Sequence, residues 1–448
     1  MKIIIVGVGN VGSELVKKLS NENHDVIVID RDEKALSQVV ESYDVLGYVG
    51  NGVSYDTLTD AGITTCDLLI ACTQYDEMNI LCCLVSKKLG AKETVARVRN
   101  EEYSDLFSER DLGLSSLVNP ELETAREIAR ITRFPSAIKI EPFARGMMDI
   151  IELKVGKDSI FDGITLKNLS KTTSRKVLVC AVERNGDVFI PSGEFTLNSD
   201  DKIYVTAQAK DITMLFKDIG MQKGAKKIMI IGGSRIAYYL ALELEKSGID
   251  YKIIEKDSER CAFLSENLDR AEIIHGDGTD RELLLDEGIE DADVVVTLCG
   301  IDEQNIIISM YAVSKKVGKV VTRTDNSSYF AMLENSGIDS IVSTKASTAN
   351  QILKYVRGRS GASSSSMNKL YKILGDRAEV IEFSAKEDFK GLSTPLSKLK
   401  IKKDTLVAGI IRNKTVITPS GQDKIESGDI ILVFTLQTGF EHINDILE

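Results

Sequence analysis

The chain has 448 residues, a net charge of −12 and a hydrophobic content of 43%. By the usual ~150 residues per domain, this length fits roughly three domains of ordinary soluble protein. The acidic balance argues against a phosphate-backbone partner, so we expect no nucleic-acid binding. No apolar run approaches the ~18 to 20 residues of a membrane span, and the chain starts directly on an apolar strand. We therefore expect a cytosolic protein without direct membrane insertion.

The cysteines predict neither a disulfide framework nor a metal site. There are seven, an odd number, and no two of them form a C-x-x-C pair. Five lie within or beside apolar runs, and we expect these to be buried thiols in a reducing compartment: Cys66, Cys72, Cys82, Cys83 and Cys299.

Residues 3–30 read as a strand, a glycine turn, a helix and a second strand. The β-branched run 3–6 runs directly into Gly7, Gly9 and Gly12, which have the G-x-G-x-x-G spacing. The first glycine permits a tight turn, the second leaves room for a pyrophosphate, and the third lets the helix pack close to the strand. The helix that follows directs its free N–H groups and its positive end at phosphate.

The second strand of this unit ends at Asp30, where a carboxylate can accept hydrogen bonds from an adenosine ribose. An acid at this point disfavours a 2′-phosphate, so we expect NAD or NADH, or an adenine nucleotide such as ATP or ADP, and not NADP. The alternative is a plain strand-to-helix turn. The predicted contacts of the loop are Gly7, Val8, Gly9, Asn10, Val11 and Gly12.

The chain is an internal duplication. Residues 228–255 copy 3–30, residues 276–305 copy 50–79, and residues 410–433 copy 182–205. The architecture is therefore A1-B1-A2-B2. We place the boundaries of A1, B1, A2 and B2 at residues 1–133, 134–224, 225–357 and 368–448.

The predicted fold class is α/β, with two Rossmann-like doubly wound parallel sheets, each followed by a small α+β domain. Each A unit alternates short apolar strands with amphipathic helices, and each B unit has hairpin-like strands with turn residues between them. A helix over 122–131 leaves A1 and stops at 134–135, and a helix over 348–356 is its counterpart in A2. The Gly/Ser-rich stretch 357–366 is predicted to be a mobile loop.

Further candidate ligand residues follow other strands of the A units. Asn51 and Asp277 lie between paired glycines after the third strand, where the alternative is a tight turn. Thr73 lies at the end of the fourth strand, where the alternative is a helix cap formed with Asp76. Arg97 and its repeat-mate Arg323 end the next strand and could neutralise phosphate, the alternative being a solvated arginine. These positions are all predicted to face the crevice at the carboxyl ends of the strands.

The A2 glycine loop, GGSRIA (232–237), departs from the A1 loop. It keeps Gly232 but has Ser234 and Ala237 at the other two glycine positions, and Arg235 adds a cation. Glu255 takes the place of the ribose acid. A side chain at Ser234 narrows the space for a pyrophosphate, so the second site is either adapted to a phosphate-rich ligand or empty.

Catalytic groups are not apparent in the sequence. A hydride-transfer enzyme needs a general acid or base, usually histidine, but the three histidines do not match each other across the repeat. No serine or cysteine nucleophile motif and no metal cluster is present in the sequence. We expect a protein that is not an enzyme; the main alternative is an NAD-dependent oxidoreductase.

Several segments together resemble the TrkA family, cytosolic regulators of Trk potassium uptake built as two tandem regulator-of-potassium-conductance (RCK) units. They are GVGNVG, VIVID, ACTQYDEMN, TLCGIDEQN, ARVRN and the PSG-containing B units, and the likeness covers nearly the whole chain. It implies A units that bind NAD(H), ATP or ADP. It also implies a homo-oligomer, dimer or tetramer, that gates a TrkH- or TrkG-type membrane subunit from the inner face of the membrane. It assigns dinucleotide binding to Gly7, Gly9, Gly12, Asp30, Thr73, Arg97 and Glu255.

A third interpretation is a soluble nucleotide-sensing part of another transporter, without a Trk partner. It shares the nucleotide site and differs only in what the assembly controls.

Overall fold

A computed structural model describes most of the chain, which folds as two units. One unit is Met1–Ala129 with Lys227–Val356, and the other is Arg130–Lys226 with Arg357–Glu448. The A domains thus form one unit and the B domains the other. The described residues are 1–20, 22, 24–100, 102–103, 114–133, 139–143, 147–157, 159–169, 177–208, 225–333, 336–338, 340–360, 367–374 and 377–448.

A1 contains a six-stranded parallel sheet of order β3-β2-β1-β4-β5-β6. Its strands are β1 Lys2–Val6, β2 Asp25–Asp30, β3 Leu46–Val49, β4 Leu68–Ala71, β5 Glu93–Arg97 and β6 Ser116–Val118. Its helices are α1 Asn10–Leu19, α2 Glu33–Ser42, α3 Tyr55–Asp60, α4 Asp76–Leu89 and α5 Pro120–Arg133, with a 3₁₀ turn at Ile63–Thr65. The order reverses between β1 and β4, which creates a crevice at the carboxyl ends of these strands.

Strand β1 has apolar side chains on both faces, and each face is buried in its own hydrophobic cluster. Ile3 and Ile5 are buried in one hydrophobic cluster and Ile4 and Val6 in another, as expected for the central strand of a parallel sheet with helices on both sides. The predicted alternation of strands and helices in A1 is therefore confirmed.

B1 follows with a five-stranded antiparallel sheet of order β10-β9-β11-β8-β7. Its elements are β7 Lys139–Phe143, β8 Met148–Lys154, β9 Leu178–Arg184, β10 Asp187–Phe189 and β11 Lys202–Gln208, with a 3₁₀ turn at Leu166–Asn168.

A2 repeats the topology of A1, with the order β14-β13-β12-β15-β16-β17. Its strands are β12 Lys227–Ile231, β13 Asp250–Glu255, β14 Glu272–His275, β15 Val294–Thr297, β16 Lys319–Arg323 and β17 Ser340–Val342. Its helices are α6 Arg235–Glu245, α7 Ser258–Asn267, α8 Arg281–Asp286, α9 Asp302–Ser314, α10 Phe330–Leu333 and α11 Thr344–Ser360, with 3₁₀ turns at Ile289–Asp291 and Ser327–Tyr329.

B2 repeats B1 with the order β18-β19-β22-β20-β21. Its elements are β18 Met367–Ile373, β19 Ala378–Ser384, β20 Thr405–Arg412, β21 Thr415–Ile417 and β22 Ile430–Thr435, with 3₁₀ turns at Leu396–Lys398 and Ile443–Ile446. The two B domains share a core in which Phe143 and Met148 lie with Phe434. The hydroxyl of Thr206 also donates to the carbonyl of Ala408 at 3.1 Å.

Helix α11 belongs to A2 in sequence but packs in the core of A1. Its Ala349, Ile352, Leu353 and Val356 are buried in the same cluster as Ile3 of β1. Side-chain bonds fix this position, including Ser347 Oγ to Glu127 Oε2 at 2.6 Å and Lys18 Nζ to Asn350 Oδ1 at 2.8 Å. The two A domains are thus one packed body.

The predicted fold class is confirmed, and so are the helices at 122–131 and 348–356. The prediction that a loop begins at residue 357 is wrong, because α11 continues to Ser360. The predicted stop at 134–135 and the rest of that loop, 361–366, lie outside the described residues. Within the described part of the chain, every helix is too short or too polar to cross a membrane.

Candidate functional site

A pocket of about 510 Å³ lies in A1 at the carboxyl ends of β1, β2 and β4. It brings together six of the predicted ligand residues, namely Gly7, Val8, Gly9, Asp30, Asn51 and Thr73. Asn10, Val11 and Gly12 follow in the first turn of α1, where Asn10 is exposed and the other two are buried. Six of the residues predicted from the sequence therefore line this pocket.

The glycines of the A1 loop have separate structural causes. Gly7 has a φ of +97°, and an added Cβ would lie 2.9 Å from the backbone nitrogen of Thr73. A Cβ on Gly12 would lie 1.9 Å from the carbonyl oxygen of Gly7, so only glycine lets α1 pack this close to β1. A Cβ on Gly9 would meet nothing within 4 Å. The packing of the protein itself therefore does not require glycine at that position.

Asp30 organises the mouth of the pocket. Its Oδ2 accepts from the backbone N–H of Val8 at 2.7 Å, and its Oδ1 accepts from the backbone N–H of Asp32 at 2.9 Å. Each carboxylate oxygen can accept a second hydrogen bond. The carboxylate is thus fixed in place and still has lone pairs for a hydroxyl donor in the pocket.

Thr73 is held by the helix that follows it. Asn79 Oδ1 accepts from the Thr73 N–H at 2.8 Å and from its hydroxyl at 2.7 Å. The alternative of a helix cap formed by Thr73 and Asp76 is not present, because the N-cap of α4 is Tyr75 and the Asp76 carboxylate turns away. It accepts instead from the backbone N–H of Arg99 at 2.8 Å. Thr73 therefore lines the pocket as a fixed part of the β4–α4 turn.

Arg97 lies behind the pocket wall and is not among the lining residues. Its Nη1 donates to the Thr73 carbonyl at 3.1 Å, while Arg99 Nη2 donates to the Gln74 carbonyl at 2.7 Å. The two arginines thereby hold the β4–α4 turn from outside.

These arginines belong to a buried charged cluster. Four of its buried polar atoms lack a hydrogen-bond partner: Arg97 Nε, Arg99 Nε, Asp76 Oδ1 and Glu121 Oε2. Burial lowers the pKa of Arg97, and the nearby Arg99 lowers it further. Burial also raises the pKa of Glu121, and the positive charges of Arg97, Arg99 and Arg235 of A2 oppose this increase. The cluster links the back of the A1 pocket to the start of α6.

The Asn51 and Asp277 positions form equivalent turns. Asn51 Oδ1 accepts from the Val53 N–H at 3.3 Å, and Asp277 Oδ1 accepts from the N–H and hydroxyl of Thr279 at 2.9 and 2.8 Å. The tight turn that was the alternative for these positions is present in both domains, and Asn51 also lines the A1 pocket.

The A2 loop copies the backbone of A1 with different side chains. Gly232 has a φ of +99°, and Glu255 Oε2 accepts from the Gly233 N–H at 2.6 Å, as Asp30 does in A1. Ser234 is the N-cap of α6, and its Oγ accepts from the Ala237 N–H at 3.4 Å. Arg235 opens α6. The serine therefore satisfies one N–H that the glycine loop of A1 leaves free.

Arg323 repeats the contact of Arg97 but has a neutralising partner. Its Nη1 donates to the Cys299 carbonyl at 3.3 Å, and its Nη2 pairs with Asp325 Oδ2 at 2.6 Å. Burial raises the pKa of Asp325, but Arg323 outweighs this and leaves it lowered. In A1 the position of Asp325 is taken by Arg99. The two domains therefore differ behind the pocket, because A1 has a second arginine, which lies 3.6 Å from Asp76, where A2 has a carboxylate bound to Arg323.

Residues that sequence reasoning missed complete the pocket. Ala35 and Met78 come from α2 and α4, and Arg31, Gln74 and Tyr75 come from the turns before these helices. The side chain of Tyr75 is 59% exposed. A signal for the turn residues was present, because each of these turns directly follows a predicted strand.

No histidine lines this pocket, and the described residues contain no group of His, Cys, Asp or Glu that could hold a metal ion. The predicted buried thiols are confirmed for Cys66, Cys72, Cys82 and Cys83, whereas Cys299 is half-buried. The described pocket thus offers hydrogen-bond acceptors, backbone N–H groups and apolar walls, with no histidine acid or base.

The chain matches two protein families along most of its length. Residues 3–120 and 228–344 match the TrkA-N domain, and residues 150–220 and 381–448 match the TrkA-C domain. A Trk system potassium uptake protein TrkA homolog of Methanosarcina mazei is 34% identical over 100% of both chains. The Trk system potassium uptake protein TrkA of Halomonas elongata is 30% identical, over 97% of this chain and 96% of its own. These names denote potassium uptake proteins and not enzymes, which agrees with the expectation from the sequence.

Solved structures share the fold. The crystal structure of the GsuK RCK domain has a TM-score of 0.63 at 18% identity, over 97% of this chain and 92% of its own. The GsuK channel bound to NAD has a TM-score of 0.64 at 18% identity, over 97% of this chain and 76% of its own. Together with the two domain families and the full-length relatives, the duplicated A and B domains show that the chain belongs to the TrkA family of Trk system potassium uptake proteins.

Proposed function

We propose that the chain is the nucleotide-sensing regulatory subunit of a Trk-type potassium uptake system, with NAD or NADH bound in the A1 pocket. The observation that carries the proposal is the Asp30 carboxylate, fixed by two backbone N–H groups at the mouth of the pocket beside an unobstructed Gly9. A fixed carboxylate recognises ribose hydroxyls, and the open glycine admits the pyrophosphate. The name of the NAD-bound GsuK channel supports this ligand.

Each proposed site residue has a task in this arrangement. The N–H groups at the start of α1, at Asn10 and Val11, face the phosphates, and Asn51 and Thr73 line the adenosine and nicotinamide sides. Arg97 holds the Thr73 turn and adds positive potential behind it. ATP and ADP share the adenosine and phosphate groups, so they compete for the same pocket.

We further propose the domain boundaries 1–133, 134–224, 225–357 and 368–448. The chains form a dimer or tetramer that sits on the inner face of the membrane by binding a TrkH- or TrkG-type channel subunit. The family membership supports a membrane partner, and the described helices offer no span of their own.

The regulatory step is a shift between two conformations of the assembly. A ligand shifts this equilibrium only by its difference in affinity for the two states. Moving it from 1:99 to 99:1 takes about 5.5 kcal/mol, whereas one charged hydrogen bond supplies about 1.5–3 kcal/mol. Several pockets must therefore act together, which an oligomer provides.

Isothermal titration of the purified full chain with NAD, NADH, ATP and ADP tests the proposal. We expect saturable binding of NAD or NADH and competition by the adenine nucleotides. A parallel absorbance assay follows NADH with hydroxy acids, aldehydes and quinones, and we expect no consumption. Absence of nucleotide binding, or steady NADH oxidation, would refute the proposed role.

A further inference from the structure

The A2 glycine loop differs from the A1 loop in a contact that it receives from a residue outside the loop. Ala35 lines the A1 pocket from the first turn of α2, and its N–H donates to the N-cap Asp32 at 3.1 Å. Arg260 has the same place in α7, where its N–H donates to the N-cap Asp257 at 2.8 Å. The repeat therefore sets a guanidinium against the A2 loop where A1 has a methyl group.

The guanidinium of Arg260 is bonded to the A2 glycine loop. Its Nε donates to the Gly233 carbonyl at 2.5 Å, and its Nη2 donates to the Ser234 carbonyl at 3.2 Å. Gly233 and Ser234 are the counterparts of Val8 and Gly9, which line the A1 pocket. The arginine thus lies against the part of the loop that borders the ligand space in A1.

Aromatic side chains hold this arginine in place. The guanidinium carbon lies 4.5 Å from the ring centroid of Phe263, and Tyr238 packs edge-on against the same ring at 5.5 Å. A1 has Gln38 and Ser13 at these two positions. Burial lowers the pKa of Arg260, and the nearby Glu255 carboxylate opposes this only in part.

A second feature closes the same loop. Ser234 Oγ accepts the Ala237 N–H at the start of α6, whereas Gly9 has no side chain to cap α1. A phosphate at A2 would have to displace both the hydroxyl and the guanidinium. A ligand at A1 displaces neither.

We propose that Arg260 is an internal occupant of the A2 site, so that each chain binds one dinucleotide, in A1, while A2 stays closed. This inference rests on the proposed function, because it counts the sites that NADH fills. It makes Arg260 the residue that distinguishes the two halves of the duplication.

The test measures the number of NADH molecules bound per full-length chain by isothermal titration, together with thermal unfolding. The variants are Arg260→Ala, which opens A2, and Ala35→Arg, which places the same side chain in A1. Arg270→Ala is the matched control, because it removes an exposed guanidinium that pairs with Asp250 at the opposite end of the A2 sheet.

We expect one NADH per chain in the parent and in Arg270→Ala, two in Arg260→Ala, and none in Ala35→Arg. Two sites in the parent, or one in a folded Arg260→Ala, would overturn the inference and leave the A1 site intact. If Arg260→Ala does not fold, Ala35→Arg decides, and full binding by that variant overturns the inference. If the parent binds nothing, the proposed function fails, and the inference then stands only if Arg260→Ala gains a site.

Discussion

Replacing Asp30 with alanine separates the two roles that this carboxylate has in the structure. It holds the Val8 and Asp32 N–H groups, and in the proposed complex it also accepts from the ribose. In A2, Glu255 has the first role, since it accepts from the Gly233 N–H at 2.6 Å and from the Asp257 N–H at 2.8 Å. Under the proposal that A2 stays closed, it has no ribose to bind. Glu255→Ala is therefore a matched control.

The expected magnitude follows from the contacts that alanine removes. A hydrogen bond to a charged group is worth about 1.5–3 kcal/mol, and each 1.4 kcal/mol changes an equilibrium constant about tenfold. Loss of one ribose contact should raise the Kd for NADH by about ten- to a hundredfold in Asp30→Ala. The Glu255→Ala control should keep the Kd for NADH within about twofold of the parent value, because the backbone bonds that Glu255 accepts lie outside the A1 pocket.

Titration calorimetry with NADH gives both Kd values, and thermal unfolding of each variant shows whether the loops remain folded. An unchanged Kd in a folded Asp30→Ala would refute the ribose contact. An equal loss in Glu255→Ala would show that the effect comes from the backbone and not from the ligand.

Other predictions follow from the same structure. Gly12→Ala should lower the free energy of unfolding by about 1–3 kcal/mol, since its Cβ would lie 1.9 Å from a carbonyl oxygen. Gly9→Ala should leave the urea midpoint unchanged but weaken NADH binding. A Gly9→Ala variant that is destabilised as much as Gly12→Ala would contradict this. Burial raises the pKa of Cys72 to about 12, so Ellman's reagent at pH 8 should react with this thiol only after unfolding. Burial raises the pKa of Asp201, but its bonds to Arg184 at 2.7 Å outweigh this and lower it below its ordinary 3.8. Asp201→Asn should thus cost about 1.5–3 kcal/mol in urea unfolding at pH 7 and less as the pH falls below ~4; a cost independent of pH would contradict this.

The sequence predicted those features that depend on neighbours in the chain. The glycine spacing, the apolar strand before it and the acid after the next strand lie within residues 3–30, and the repeat of this pattern defined the second A domain. Such features survive in sequence because turn geometry and strand burial are set by residues a few positions apart.

The sequence predicted correctly that Arg97 ends a strand, but its side chain does not line the pocket and instead donates to the Thr73 carbonyl behind the pocket wall. The same local view offered a cap formed by Thr73 and Asp76 as the alternative, but the Asp76 carboxylate accepts from the backbone N–H of Arg99. Strand position fixes where a side chain starts, whereas its direction depends on acceptors from other strands.

Two arrangements required the tertiary structure. Helix α11 lies in the core of A1, although it follows the last strand of A2 in the sequence. Arg260 contacts a glycine loop 26 and 27 positions earlier in the chain, and its repeat-mate is a plain alanine. Local spacing determines which elements form and which loop could hold phosphate. Only the packing of distant residues decides which domain covers a helix face and which of two similar loops has an arginine bound to it.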